Sequence, residues 1–319
     1  MTLSANAARA DLQTAPRVLV LLATYNGEPW LREQLDSILA QEDVEVSVLI
    51  GDDRSKDGTL AVLSTHWGND SRVTVRRSDQ GSGSAGANFR RLYVQADADG
   101  FDFVALADQD DIWSRRKLAS AVEALQRTGA CGYSSAVEAF WPDGREAVLR
   151  QNPRQRNGDF LFEGGGQGCT FVLTSQLFRT VQSLCRQSAA SVGELHYHDW
   201  LIYLVSRAIG GKWYFDPAPQ MRYRQHAGNE IGARGGLTAV RRRVALISNG
   251  WYKKQVTAAI RIYQLAGGSD PVVNETADLI AAAPSFPRRV RLGALLLKHG
   301  RRSLADRFIL VMAAMMGWL

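Results

Sequence analysis

Two stretches of this chain, RVLVLLATYNG from Arg17 and VEVSVLIGDDRSKDGT from Val44, carry continuous apolar runs, Val18 to Ala23 and Val48 to Ile50, and each stops at polar residues and Gly. A strand that reads apolar on both faces must be covered on both, which is the pattern of a parallel strand inside an α/β sheet. Between them EPWLREQLDSILAQ sets Trp30, Leu31, Leu35, Ile38 and Leu39 at helical spacing. Strand, helix and strand form a βαβ unit, and a parallel pair needs such a crossover.

The pattern continues. DGTLAVLSTHWG reads as a helix with Asp57 near its start, RVTVRRS as a short strand, GANFRRLYVQAD as a helix and DFVALAD as a buried strand. In open α/β sheets ligands sit beyond the carboxyl ends of strands, and there the sequence puts TYN, DDRS and DQDD. DIWSRRKLASAVEALQRTG is an amphipathic helix; the irregular segment after it, to GGGQG, reads as strands and loops around a second pocket. In GQGCTFVLTSQLFRTV, Gly166 and Gly168 allow a ligand to approach backbone, with a helix from Thr174 or Ser175. A further helix starts near His198 and Asp199. From Gly235 the chain reads as helices, ending in an Arg cluster and an apolar tail too short to span a bilayer.

With 319 residues, 45% of them hydrophobic, the chain can bury a substantial core. Its net charge of +6 favours anionic partners. Nucleic acid is not expected, because Arg241 to Arg243 and Arg288 to Arg302 lack the interleaved aromatics of a stacking platform. Their place beside an apolar tail suits an anionic membrane surface, although a helix packed on the domain explains the same tail. Cys131, Cys169 and Cys185 have neither zinc-site spacing nor a disulfide framework and read as reduced thiols of a cytoplasmic protein. Residues 1–16 read as a flexible tail without a signal-peptide core.

Asp108, Asp110 and Asp111 repel one another unless a cation lies between them, so the alternatives are a solvated turn and a metal site. Mg²⁺ or Mn²⁺ takes one or two carboxylates and completes its shell with water and phosphate oxygens. Asp199 is a candidate general base for a hydroxyl or a helix N-cap. His196 and His198 beside it offer weak metal-ligand spacing. His226 lies among Arg222, Arg224 and Gln225, a setting for phosphate contacts plus a metal ligand or proton donor. Neither a P-loop nor a dinucleotide fingerprint is present.

In order along roughly residues 17 to 232, VLLATYNGEPWLREQLDSILAQ, IGDDRSKDGT, NFRRLY, LADQDDIWSRRKL, GCTFVLT, HDWLIYLVSRAIGG and YRQHAGNEIG together resemble family 2 glycosyltransferases of the GT-A fold, particularly the bacterial rhamnosyltransferase-like branch. The resemblance implies an α/β, mostly parallel Rossmann-like sheet flanked by helices, with a GT-A domain over 17–234 (nucleotide half about 17–112, acceptor half about 113–234) and a helical extension over 235–319. It implies that Thr24, Tyr25, Asn26, Glu28, Asp52, Asn88, Asp108, Gln109 and Arg224 bind a dTDP- or UDP-sugar, with Asp52 accepting from the pyrimidine. Asp110, Asp108 and His226 would hold Mg²⁺ or Mn²⁺. Asp111, Trp113, Gly168, Cys169 and Trp200 would face a glycan or lipid-linked acceptor, and Asp199 would be the base of an inverting displacement. A sugar nucleotidyltransferase and a non-catalytic scaffold are the competing readings. Gly51 and Arg54 in IGDDRS, and the small residues of GSGSAGANF, depart from the family pattern.

Overall fold

The computed structural model describes residues 15–226 and 245–319. The expected tail lies outside the described residues except for its last two, as do Arg241 to Arg243 and the part of YRQHAGNEIG beyond His226. Strands β1 (Arg17–Thr24), β2 (Glu45–Asp52), β3 (Val73–Arg77) and β4 (Phe103–Ala107) alternate with helices α1 (Leu31–Leu39), α2 (Thr59–Trp67) and α3 (Ala85–Gln95). α1 buries Leu31, Leu35 and Ile38, the face that its spacing predicts.

After β5 (Ile112–Trp113) come α4 (Lys117–Thr128), β6 (Gly132–Phe140), β7 (Glu146–Leu149), β8 (Val172–Thr174), α5 (Ser175–Gln187), α6 (Ala189–Gly193), α7 (His198–Ala208) and β9 (Trp213–Arg224). One sheet runs β3-β2-β1-β4-β8-β6-β9-β5, with β7 on the side of β6. Pairing is parallel from β3 to β4 and again between β6 and β9, while β8, β7 and β5 join antiparallel. The expected α/β class, with a mostly parallel sheet flanked by helices and a C-terminal helical extension, is observed.

The chain moves outward from β1 through β2 to β3 and then returns to the other side of β1 as β4. Where two strands leave in opposite directions, their loops part and open a crevice beyond the strand ends. That crevice lies between Thr24 and Asp108.

The extension comprises α8 (Trp251–Leu265), α9 (Pro271–Ala281), α10 (Phe286–His299) and α11 (Leu304–Met315). Val256, Ile260, Leu292, Leu296 and Leu310 share one continuous core with Phe160, Trp200 and Tyr203. The tail therefore packs on the domain. Part of its arginine cluster also turns inward: buried Arg288 donates to the carbonyls of Leu279, Ile280 and Leu319, closing helix ends that would otherwise be orphaned. On the outer side Leu304, Phe308, Met312 and Met316 repeat every four residues and stay half exposed.

Candidate active site

A cavity of about 760 Å³ fills the crevice. Its first wall comes from β1 and β4. Thr24 Oγ1 and the Tyr25 amide both donate to Gln109 Oε1, at 2.7 and 2.8 Å, and Gln109 Nε2 returns a bond to the Tyr25 carbonyl at 3.1 Å. This exchange locks the two strand ends together, and a Cβ on Gly27 would strike Gln109 Oε1 at 2.4 Å. Thr24, Tyr25, Asp108, Gln109 and Asp110 all line the cavity.

Asn26 and Glu28 bind a neighbouring loop instead. Asn26 Oδ1 accepts from the Lys56 amide at 2.8 Å, and Glu28 Oε2 accepts from the Gly58 amide at 2.7 Å. Neither residue lines the cavity. The two acids after β2 also separate. Asp52 is fully buried, takes the Ser55 amide and hydroxyl on its two oxygens, and does not line the cavity. Asp53 does line it, braced by the Ser82 amide and hydroxyl, both at 2.7 Å, and by Arg91 at 3.2 Å. Arg54 follows with φ of 65°, a left-handed conformation that costs a non-glycine residue about 1 kcal/mol; here the departure from the family pattern has a conformational counterpart.

The small residues after β3 form the cavity floor: Gly81, Gly83, Ser84, Ala85 and Gly86 line it at the start of α3. Ser84 caps that helix by accepting from the Ala87 amide at 3.2 Å. Asn88 lines the same floor and donates to the Gly51 carbonyl at 2.8 Å.

The acid loop is held from behind. The Arg224 amide donates to Asp111 Oδ1 at 3.2 Å, Arg224 Nε donates to the Asp110 carbonyl at 2.9 Å, and its Nη2 meets Glu33. His226 Nε2 lies 2.6 Å from Asp110 Oδ2, and its ring stacks on Trp30 with centroids 4.1 Å apart. Asp111 is fully buried; burial, then Asp110 and Asp108, push its carboxyl well above the usual carboxylate range. Its Oδ2 has no hydrogen-bond partner among the described residues. Asp108, Asp111 and Cys169 place ligand atoms within 4.8 Å of one another. Burial, and next Asp111, hold the Cys169 thiol protonated, so the carboxylates are the better donors for a hard divalent ion. An orphaned carboxylate oxygen among gathered acids fits such an ion.

Trp113 lies behind this loop rather than in the cavity, with the Lys117 ammonium 3.6 Å from its ring centroid. Arg224 and Asp111 are also absent from the lining.

A second wall carries Asp199, in the first turn of α7. The N-cap position belongs to Tyr197, so Asp199 is not the helix cap. Its Oδ1 accepts from the Trp200 amide at 2.8 Å. Main chain approaches it closely: a Cβ on Gly164 would lie 3.2 Å from Asp199 Oδ2, and one on Gly168 would lie 2.7 Å from His198 Cε1. Gly168 and Cys169 both line the cavity. Trp200 points the other way, donating to the Phe160 carbonyl at 2.7 Å and stacking on Tyr252 in the core.

His198 stacks on Phe89 at 4.0 Å and pairs with the Tyr93 hydroxyl at 2.8 Å. Burial, and next Arg90, lower its pKa to about 3. The unfolded chain then binds a proton that the folded chain refuses, so stability falls as pH drops from the ordinary imidazole value toward about 3. His198→Phe keeps the stack and removes this titration. Its urea midpoint should change less between pH 7 and about 4.5 than that of the parent; equal changes would rule out His198 as the source.

The sequence reading missed several lining residues. Glu163, Gln151, Gln167, Tyr223, Arg301 and Arg302 all face the cavity. Arg302 is buried beneath it, where Nη2 donates to the Gly164 carbonyl at 2.8 Å and Nη1 reaches Asp159 Oδ2 at 3.3 Å. Asp53 had a visible signal as the second half of an acidic pair. Arg301 and Arg302 had none, because only tertiary packing brings the α10–α11 turn to this wall.

Comparison with known proteins identifies the family. Residues 19–181 match the family described as Glycosyl transferase family 2. The chain is 37% identical over 237 residues to the dTDP-rhamnosyl transferase RfbG of Shigella flexneri, covering 74% of this chain and 82% of that protein. It is 26% identical over 230 residues to the succinoglycan biosynthesis protein ExoO of Rhizobium meliloti (strain 1021), covering 68% and 63%. The crystal structure of S. aureus TarS 1-349 in complex with UDP superposes with a TM-score of 0.57 at 14% identity, covering 95% of this chain and 88% of that one, a likeness of fold. The class defined by fold and sequence is that of the GT-A glycosyltransferases. The chain belongs to glycosyl transferase family 2.

Proposed function

We propose that the protein moves a sugar, rhamnose, from a nucleoside-diphosphate sugar to a hydroxyl of a glycan or lipid-linked acceptor in cell-surface polysaccharide synthesis. The observation that carries this reading is one cavity with Asp108 and Asp110 on one wall and Asp199 on the other. A donor held at the first wall presents its anomeric carbon to a hydroxyl held at the second. The name of the Shigella flexneri relative supports rhamnose and a dTDP donor.

The residues divide the work accordingly. The nucleotide half, about 17–112, takes the donor. Thr24, Tyr25, Gln109 and Asn88 shape its pocket, and Asp53 assumes the pyrimidine contact assigned from sequence to Asp52, because Asp53 lines the cavity and the fully buried Asp52 does not. The start of α3 offers small residues and a helix N-terminus to the phosphates. Asp108 and Asp110, with Asp111 behind and His226 beside them, would hold Mg²⁺ or Mn²⁺, which offsets the charge that grows on a leaving diphosphate. In the acceptor half, about 113–234, Asp199, in the first turn of α7, takes the proton of the attacking hydroxyl. A single displacement on the face opposite the leaving group inverts the anomeric carbon.

The experiment is incubation with dTDP-rhamnose, UDP-sugars and GDP-sugars, reading nucleotide release and the anomeric configuration of the product by NMR. Retention of configuration would exclude the single displacement. For the metal, Mn²⁺ or Mg²⁺ should raise the dTDP-dependent thermal shift, and Asp110→Ala should remove most of that increment; an unchanged increment would take Asp110 out of the ligand set.

The same reading puts the protein at the inner face of a membrane through the exposed Leu304, Phe308, Met312 and Met316 stripe of α11, with exposed Arg291 and Lys298 on the neighbouring helix α10. No described helix is long and apolar enough to cross a bilayer. The full chain should sediment with vesicles containing anionic phospholipid, and a Phe308→Asp, Met312→Asp double variant should stay in the supernatant. Equal sedimentation of both would exclude this face.

A further inference from the structure

A transferase that attacks with one hydroxyl of a sugar must keep the neighbouring hydroxyls from taking its place. Selection therefore needs polar groups fixed beside the base, set to the spacing of a diol. Such a pair lines the cavity that Asp199 also lines. Glu163 precedes Gly164, the residue whose backbone packs on the Asp199 carboxylate, and Glu163 lines the cavity with its side chain 11% exposed. Arg301, from the turn between α10 and α11, lines the same wall. Its Nε lies 3.3 Å from Glu163 Oε2 and 3.6 Å from Asp306 Oδ2, so two carboxylates fix the guanidinium from one side. Nη1 and Nη2 of Arg301 hydrogen-bond to no described residue and are not sealed from solvent.

The charges around this pair decide what it can bind. Glu163 and Asp306 face Arg301, while Arg302 beside it is matched by Asp159. Among the described residues this cluster thus has little surplus charge to attract an anion. The wall offers a planar pair of donors from Arg301, the remaining lone pairs of Glu163, whose Oε1 also accepts the Arg302 amide and whose Oε2 faces Arg301, and the side-chain amides of Gln151 and Gln167, which also line the cavity and bond to each other at 2.6 Å. Directional donors and acceptors without net charge suit a neutral polyol.

We propose that Arg301 and Glu163 form a saccharide subsite that grips vicinal hydroxyls of the acceptor sugar and leaves the hydroxyl next to them to Asp199. The inference rests on the glycosyl-transfer reading above and makes the C-terminal extension a determinant of acceptor choice and linkage.

The test uses the full chain saturated with dTDP and a panel of methyl glycosides of hexoses and 6-deoxyhexoses with their single-deoxy analogues. Saturation-transfer NMR reads binding without requiring turnover. At least one glycoside should bind, and its analogue lacking either hydroxyl of one diol should bind about tenfold more weakly. Arg301→Lys keeps the charge facing Glu163 but loses the planar fork, so it should weaken the parent glycoside by about tenfold while retaining the melting temperature. A purely structural Arg301 would be rescued by Lys. Wild-type affinity in Arg301→Lys, or absence of binding by every glycoside, overturns the proposal. Failure of sugar transfer from all nucleotide sugars, with glycoside binding intact, overturns the functional reading instead.

Discussion

Asp199→Asn lowers kcat by about a thousandfold, the scale of a lost general base, while nucleotide affinity stays within about twofold. The substitution is close to isosteric. Asn Oδ1 can still accept the Trp200 amide that Asp199 Oδ1 accepts at 2.8 Å, and the Gly164 backbone meets a side chain of the same shape. What disappears is the ability to take a proton from an attacking hydroxyl. The donor wall is built from β1, β4 and α3, so nucleotide binding has no reason to follow. Nucleotide release under saturating acceptor, paired with calorimetric titration of dTDP, checks both halves. Turnover at the parental rate would remove Asp199 from the role of base.

Arg302→Met costs about 3 kcal/mol of stability, because it strips a cation from a buried ion network. Asp159 is fully buried and is reached by Arg302 at 3.3 Å, Arg207 at 3.3 Å and the Tyr203 hydroxyl at 2.9 Å. Burial raises the Asp159 pKa, and Arg302 is the first of the groups that restrain the rise. Without Arg302 the carboxyl rises further. A folded pKa above the unfolded one means that the folded state binds the extra proton, so acidification through that window favours folding. The deficit of Arg302→Met in guanidinium unfolding should therefore shrink as pH falls toward the carboxylate range. A deficit that stays constant or grows would mean that Asp159 is not what Arg302 protects.

The half of the molecule that reads well from sequence is the half whose elements follow one another in the chain. β1, α1 and β2 each announce themselves by period, and the strand-end clusters TYN, DDRS and DQDD fall at the crevice that the strand order opens. Individual side chains are less legible. Asp52 and Asp53 are adjacent and chemically identical, yet the backbone turn sends one into Ser55 and the other to the cavity. Trp200 follows Asp199 on α7, and one residue is a rotation of about 100° around a helix, enough to put one in the cavity and the other in the core. The charge at the wall reached by the C-terminal extension is least legible. Arg301 and Arg302 read as part of a surface cluster until the fold carries them back to residues 138 and 143 positions earlier, at Glu163 and Asp159.

The wall around Asp199 is made largely of main chain, at Gly164, Gly166 and Gly168. A Cβ at any of the three would press on Asp199, Gln151 or His198, and Gly166 also holds φ of 124°. Amide and carbonyl groups there cannot be exchanged by a point mutation, whereas the side chains at the rim can. If this wall receives the acceptor as proposed, a lineage of such enzymes would drift in acceptor preference through positions such as Gln151 and Gln167 and stay fixed at the glycines, so new specificities would arise without rebuilding the surroundings of Asp199.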